Sequence, residues 1–284
     1  MDTEKSCAVT GASGYLGSLV AAWLEAQGWT VMRLARANSG PGWHSFQLNK
    51  GLEPGFFSEN NIQALVHCAW DLKATGWPDI MQTNVEGSKL LLQQARRESV
   101  GKAVFVSTMS AFPDCKSLYG KSKLLVEKEA QECGYTVVRP GLIYGQDSGG
   151  MVGALTSMLK TSPVLPVIAG DALLYLTHED DLCRLIETLL DAALKPDPLP
   201  AISAVYKTPM RFVDILKRLS AKAGKQPLLV PVPWQAAFVL MKGMEKIKLR
   251  APFRSDSVLS LANQNPCPDL LPTEALGVQF RELS

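Results

Sequence analysis

The chain has 284 residues, with 29 Lys and Arg against 27 Asp and Glu and a formal net charge of +2; it shows no basic block or aromatic–basic stripe, which argues against a nucleic-acid partner. Its apolar stretches are broken by charges or prolines well short of membrane-spanning length, and the charged start Met1-Asp2-Thr3-Glu4-Lys5 lacks a signal-peptide pattern. The six cysteines have neither metal nor CxxC spacing, so the expectation is a cytoplasmic protein with free thiols and no metal site.

Cys7-Ala8-Val9 reads as a first strand. It leads into Thr10-Gly11-Ala12-Ser13-Gly14-Tyr15-Leu16-Gly17, and an apolar helical pattern follows at Leu16, Leu19, Val20, Trp23 and Leu24. Strand, glycine turn and helix form the context a dinucleotide fingerprint needs. Gly11 allows the tight turn, Gly14 lets the backbone approach a pyrophosphate, and Gly17 lets helix and strand pack closely. The N–H groups and positive dipole end of the helix then face the phosphates.

Residues 30–35 read as a second strand and 64–69 as another. Helical spacing runs over 85–97, a strand over 103–107 and a helix over 122–132. A sixth strand, 135–139, is stopped by Pro140-Gly141. Strict alternation predicts an α/β fold, a doubly wound parallel sheet of Rossmann type, with ligands beyond the carboxyl ends of its strands. After Gly145 the pattern changes. A helix-like stretch runs from Gly149-Gly150 to Lys160 and is broken by Ser162-Pro163-Val164-Leu165-Pro166. His178-Glu179-Asp180-Asp181 then caps an apolar helix over 182–194, and 201–205 is a candidate last strand. A helix from Phe212, a corner at Pro231-Val232-Pro233-Trp234, a helix to about Lys246 and an irregular end complete the chain. The expected division is a dinucleotide-binding domain over 1–145, completed by about 182–206. A small, discontinuous C-terminal substrate lid takes 146–181 and 207–284.

Tyr119 and Lys123 in Tyr119-Gly120-Lys121-Ser122-Lys123 lie one helical turn apart. A nearby ammonium favours the phenolate and lowers the tyrosine pKa from about 10. Such a tyrosine can pass a proton near neutrality while a hydride moves to or from a nicotinamide. Ser107-Thr108-Met109-Ser110 stands at the end of a predicted strand, where a hydroxyl can hold the substrate oxygen. The alternative, that these hydroxyls only cap the following turn, stays open.

Together these motifs resemble the extended short-chain dehydrogenase/reductase family, the NAD-dependent epimerase/dehydratase group. The resemblance runs from about Cys7 to Asp181 and includes His67-Cys68-Ala69, Asn84-Val85-Glu86-Gly87 and Arg139-Pro140-Gly141-Leu142-Ile143-Tyr144-Gly145. It implies Thr108 as the catalytic hydroxyl with Ser110 in reserve, and Tyr119 as the acid/base. It also implies Lys123 as the nicotinamide-ribose ligand and Asn84 as the residue steadying the active-site helix. Gly11, Ser13, Gly14, Tyr15, Leu16, Gly17, Ala69 and Pro140 would line the cofactor. His67 reads as strand-end packing, and Asp181 as a helix N-cap.

The chain also departs from the family pattern. No acid ends the second strand, where Arg33-Leu34-Ala35-Arg36-Ala37-Asn38 stands. Arg36, helped by Asn38 or Ser39, would meet a 2′-phosphate, so NADP is expected over NAD. Gln47-Leu48-Asn49 replaces the acid expected to contact adenine. The expected reaction is hydride transfer between NADP(H) and a small carbonyl compound or secondary alcohol. The apolar stretches at 230–234 and 236–244 would hold the substrate or simply pack. A nucleotide-sugar epimerase or dehydratase is the alternative, with Lys246, Lys248, Arg250 and Arg254 as candidate diphosphate ligands. A non-catalytic cofactor-binding accessory protein is a further one. Homodimerisation through sheet-side helices is common in the resembling family.

Overall fold

The apolar run Ser6–Thr10 is buried along its whole length, as is Ala64–His67. Strands buried on both faces belong in a parallel sheet covered by helices. The structure, a computed structural model, describes residues 5–37, 40–146, 149–191, 200–247 and 254–283. Its strands are β1 (Ser6–Thr10), β2 (Thr30–Ala35), β3 (Trp43–Ser45), β4 (Ala64–His67), β5 (Lys102–Val106), β6 (Thr136–Pro140), β7 (Leu142–Tyr144), β8 (Val164–Ile168), β9 (Leu173–Leu174), β10 (Leu176–His178), β11 (Ile202–Ala204), β12 (Met210–Arg211) and β13 (Leu228–Val232). The main sheet has seven strands in the order β11-β6-β5-β4-β1-β2-β3. Every pairing in it is parallel. The chain leaves β1 toward β2 and β3, then crosses back to β4 on the other side of β1. That reversal opens a crevice at the carboxyl ends of β1 and β4, where such sheets bind ligands.

The helices are α1 (Tyr15–Ala26), α2 (Phe56–Glu59), α3 (Trp77–Ile80), α4 (Gly87–Arg97), α5 (Leu118–Glu132), α6 (Gly150–Thr161), α7 (Glu179–Asp191), α8 (Phe212–Lys222), α9 (Trp234–Lys246), α10 (Ser255–Ala262) and α11 (Leu271–Ala275). Strand alternation divides the core between the two faces of the sheet. Cys7, Val9 and Val66 pack with Val20 and Leu24 of α1 and Leu182 and Ile186 of α7. Ala8, Leu65 and Phe105 pack with Leu91 of α4 and Val126 of α5. A separate cluster joins α6, β8 and α8 through Val152, Leu155, Leu165, Phe212 and Leu216. Among the described residues, no helix is long and apolar enough to cross a membrane.

The structure departs from the sequence reading in several places. α5 starts at Leu118, not Ser122, because the Ser117 hydroxyl accepts the Gly120 N–H at 3.1 Å. A π-helical turn, Met81–Glu86, precedes α4. The proline corner is preceded by β13, which pairs in parallel with β8. Pro231 is accommodated because this two-stranded ribbon consists of edges. The stretch read as irregular holds α10 and α11. Asp181 is not an N-cap. It lies inside the first turn of α7 and receives the Arg281 backbone N–H at 2.9 Å and its guanidinium at 2.6 and 3.0 Å. The local signal for a cap was sound, but a residue 100 positions away claims the carboxylate.

Candidate active site

β1 ends at Thr10, whose hydroxyl oxygen accepts the N–H groups of Cys68 and Ala69, each at 3.1 Å. This clamps the loop after β4 against the glycine turn. Gly11 has φ +69°, in the left-handed region, and a Cβ on it would stand 3.0 Å from the Ala69 backbone. A Cβ on Gly17 would overlap the Gly11 carbonyl. The Gly14 N–H donates to the Gly11 oxygen at 2.8 Å, and no side chain caps the start of α1. The result is a tight backbone cradle at a helix N-terminus, which fits a pyrophosphate. Gly11, Ser13, Gly14, Arg36 and Ala69 line one groove there. Tyr15 and Leu16 open α1. The Tyr15 hydroxyl donates to Glu179 at 2.6 Å, and Leu16 packs against the core.

Arg36 is solvent-exposed at the far end of the groove, 3.9 Å from the Asp71 carboxylate. Asp71 follows β4 and had no local signature as a groove residue. Gln47, Leu48 and Asn49 line the same groove. Asn38 and Ser39 lie outside the described residues.

Tyr119 lies in the first turn of α5, where the nearby Thr108 hydroxyl acts to lower its phenol pKa and itself accepts the Ser110 N–H at 3.2 Å. Burial nevertheless pushes its phenol up to about 12. The lowering expected from Lys123 is not found. The Lys123 ammonium donates to the Val106 carbonyl at 2.8 Å and lies 4.0 Å from the Trp70 ring centroid, but 6.0 Å from that of Tyr119. Burial brings that ammonium down to about 7, opposed by Cys68 and Glu127. Trp70, placed edge-on to Tyr119 at 6.1 Å, forms a wall of the site that the spacing of motifs did not reveal.

The Ser110 hydroxyl, read as a reserve for Thr108, accepts the Ser260 hydroxyl of α10 at 2.8 Å, so it is tied to that helix. Asn84 is fully buried and spends its side chain on the loop after β4. Its oxygen accepts the Asp71 N–H at 2.6 Å and its amide donates to the Asp71 carbonyl at 3.0 Å. It therefore holds the Trp70–Asp71 loop rather than bonding the active-site helix. His67 is enclosed between Thr10 at 2.7 Å and Ser88 at 2.9 Å, and burial lowers it to about 3, so it is neutral. Pro140 ends β6 and its carbonyl accepts the Met109 N–H at 3.0 Å, which fixes the strand end beside Thr108.

α10 reaches this site from far along the chain. The Asp256 carboxylate accepts the N–H groups of Leu118 and Tyr119 at 2.7 and 3.1 Å. Nothing local in the sequence announced Asp256 or Ser260. Of the candidate diphosphate ligands, Lys248 and Arg250 lie outside the described residues, as does the side chain of Lys246. Arg254 instead donates to the carbonyls of Leu72 and Ala74 at 3.1 and 3.4 Å, and of Thr75 at 3.4 Å. All six cysteines are free. No cluster of metal-ligating side chains occurs among the described residues.

Residues 7–199 match the NAD dependent epimerase/dehydratase family. A ceramide reductase of Caulobacter vibrioides is 24% identical over 245 residues, covering 82% of this chain and 75% of that protein. The chain also matches an uncharacterized protein of Mycobacterium tuberculosis at 29% identity, covering 78% of this chain but only 24% of that protein. Among solved structures, UDP-glucose 4-epimerase of Thermus thermophilus, in complex with NAD, superposes with a TM-score of 0.65 at 20% identity, covering 80% of this chain and 86% of that one. dTDP-4-dehydrorhamnose reductase of Bacillus anthracis, in complex with NADP, gives 0.68 at 16% identity, covering 90% and 98%. At such identities the structural likeness bears on the fold alone.

Proposed function

The chain belongs to the NAD dependent epimerase/dehydratase family, and from that premise we propose that it is an NADP(H)-dependent oxidoreductase that interconverts a carbonyl compound and a secondary alcohol. One observation carries the reading: the Thr108 hydroxyl is placed to favour ionisation of the Tyr119 phenol, against the raising effect of burial, at the carboxyl end of the sheet that also bears the glycine cradle. Bound NADPH would supply the hydride. Thr108 would donate to the substrate oxygen and hold it against Tyr119. Tyr119, whose phenol burial keeps protonated well above neutrality, would deliver the proton to that oxygen as charge develops on it. A protonated tyrosine is the form that can give a proton to the substrate oxygen. Lys123 would exchange its bond to the Val106 carbonyl for the nicotinamide ribose, and Arg36 would turn from Asp71 to the 2′-phosphate.

The ceramide reductase relative supports a reductase. A UDP-glucose 4-epimerase of Pasteurella multocida, 28% identical over 187 residues, supports the second reading, an epimerase or dehydratase that returns its cofactor unchanged. Net cofactor change separates them. Incubation with a panel of ketones should consume NADPH in step with alcohol formed. Product from a nucleotide sugar with no net change in NADPH would replace the reductase with the epimerase.

A further inference from the structure

Away from the dinucleotide groove, a narrow cleft runs through the lid between α6, β8, α8 and α10. Leu155, Met158, Phe212, Leu216 and Val258 line it, and Ser257 is the polar side chain among its lining residues. Two of its walls also touch the catalytic apparatus. α10 presents Val258 and Ser257 to the cleft, while on its other edge Asp256 holds the start of α5 and Ser260 donates to Ser110. α6 begins against the glycine loop, where a Cβ on Gly149 would stand 2.5 Å from the Tyr15 ring. Met151, 47% exposed, lines the cleft two residues further on. The cleft is thus bounded by one element leaning on the cofactor loop and another leaning on the tyrosine helix.

We propose that this cleft is the subsite for an unbranched aliphatic chain of the substrate, whose carbonyl end lies at Tyr119. The proposal rests on the oxidoreductase reading of the site. An apolar cleft forfeits dispersion contacts unless something apolar fills it. A sugar or other polyol would leave its hydroxyls without partners against these walls, which costs heavily. Its free room, about 60 Å³, suits a slender segment rather than a ring system. Met151 and Met158 are unbranched and flexible, so the walls can part along a chain.

The test is a titration of straight-chain methyl ketones of increasing length, beginning with butanone, followed by calorimetry with and without NADPH. Affinity should rise about fourfold per added methylene and then level off where the cleft is full. Ser257→Phe fills the cleft from a half-buried position. It should weaken the long ketones by about tenfold or more, the worth of two methylenes, and leave butanone and NADPH binding unchanged. Met158→Ala should move the levelling-off point to longer chains. A flat series in the wild type, or a Ser257→Phe series identical to it, overturns the proposal. NADPH affinity measured alone keeps the two readings apart. NADPH binding with a flat ketone series removes the chain subsite only. A length-dependent series that Ser257→Phe shortens, in a protein that binds no NADPH, upholds the subsite and removes the dinucleotide reading.

Discussion

Asp256 accepts the backbone N–H of Tyr119 at 3.1 Å across 137 residues of sequence, and that of Leu118 at 2.7 Å. α10 therefore caps the helix that carries the candidate acid. The carboxylate satisfies N–H groups that α5 leaves open at its start and sits favourably at the positive end of its dipole. Asp256→Ala should lower stability by about 1 kcal/mol, as other lost caps do. It should also lower kcat while NADPH affinity stays unchanged, and Asp256→Glu should recover part of kcat. Urea unfolding and steady-state kinetics read both effects. A parallel loss of NADPH affinity would mean general loosening, not a misplaced Tyr119.

On the proposed reading, Arg36 sets the choice of cofactor. NADPH should bind at least about tenfold more tightly than NADH, equivalent to about 1.4 kcal/mol. Arg36→Ala should erase most of that difference, because the guanidinium is the groove's candidate partner for a 2′-phosphate. Calorimetric titration of both cofactors decides it, and equal affinities in the wild type would reject the assignment.

Tyr119→Phe removes only the phenolic oxygen. The fold and NADPH affinity should survive, while turnover falls by about two to four orders of magnitude, the range for a lost general acid. Near-normal turnover in the variant would assign the proton to another group.

Stability should depend on pH through Lys123. Its ammonium titrates near 7 in the folded protein against about 10.4 in the unfolded chain. Between those values the unfolded state binds the extra proton, so stability rises with pH over that window and is lost as pH falls toward 7. His67, lowered to about 3, extends the loss below about pH 6.5. The Tyr119 phenol, raised to about 12, reverses the sign above pH 10. Lys123→Met should therefore gain more stability relative to the wild type at pH 7 than at pH 10. Thermal melts of both proteins across this range supply the check; a constant difference would show that Lys123 is not desolvated as described.

The glycine turn was legible in the chain because every feature of it is local: φ at Gly11, close packing at Gly17 and the start of α1 all fall within a few residues. The parallel sheet was legible because strands buried on both faces and alternating with helices leave no other layered solution. β3, β13, α10 and α11 were missed. They are short, and their pairing or packing partners rather than their own periodicity make them regular.

At the site, the linear order of residues determined which groups could carry chemistry: the cradle at Gly11, Gly14 and Gly17, the pair Thr108 and Tyr119, and the basic residue Arg36. It did so because strand ends in this fold bring such motifs to one edge of the sheet. The tertiary structure alone decided what each group does there. It turned the Lys123 ammonium toward Val106 and Trp70, spent Asn84 on Asp71, gave Asp181 to Arg281, and brought Asp256 and Ser260 of α10 onto the start of α5 and Ser110. Burial and hydrogen bonding between residues far apart in sequence set protonation states and orientations, and no spacing rule within one segment can express a partner that only folding delivers.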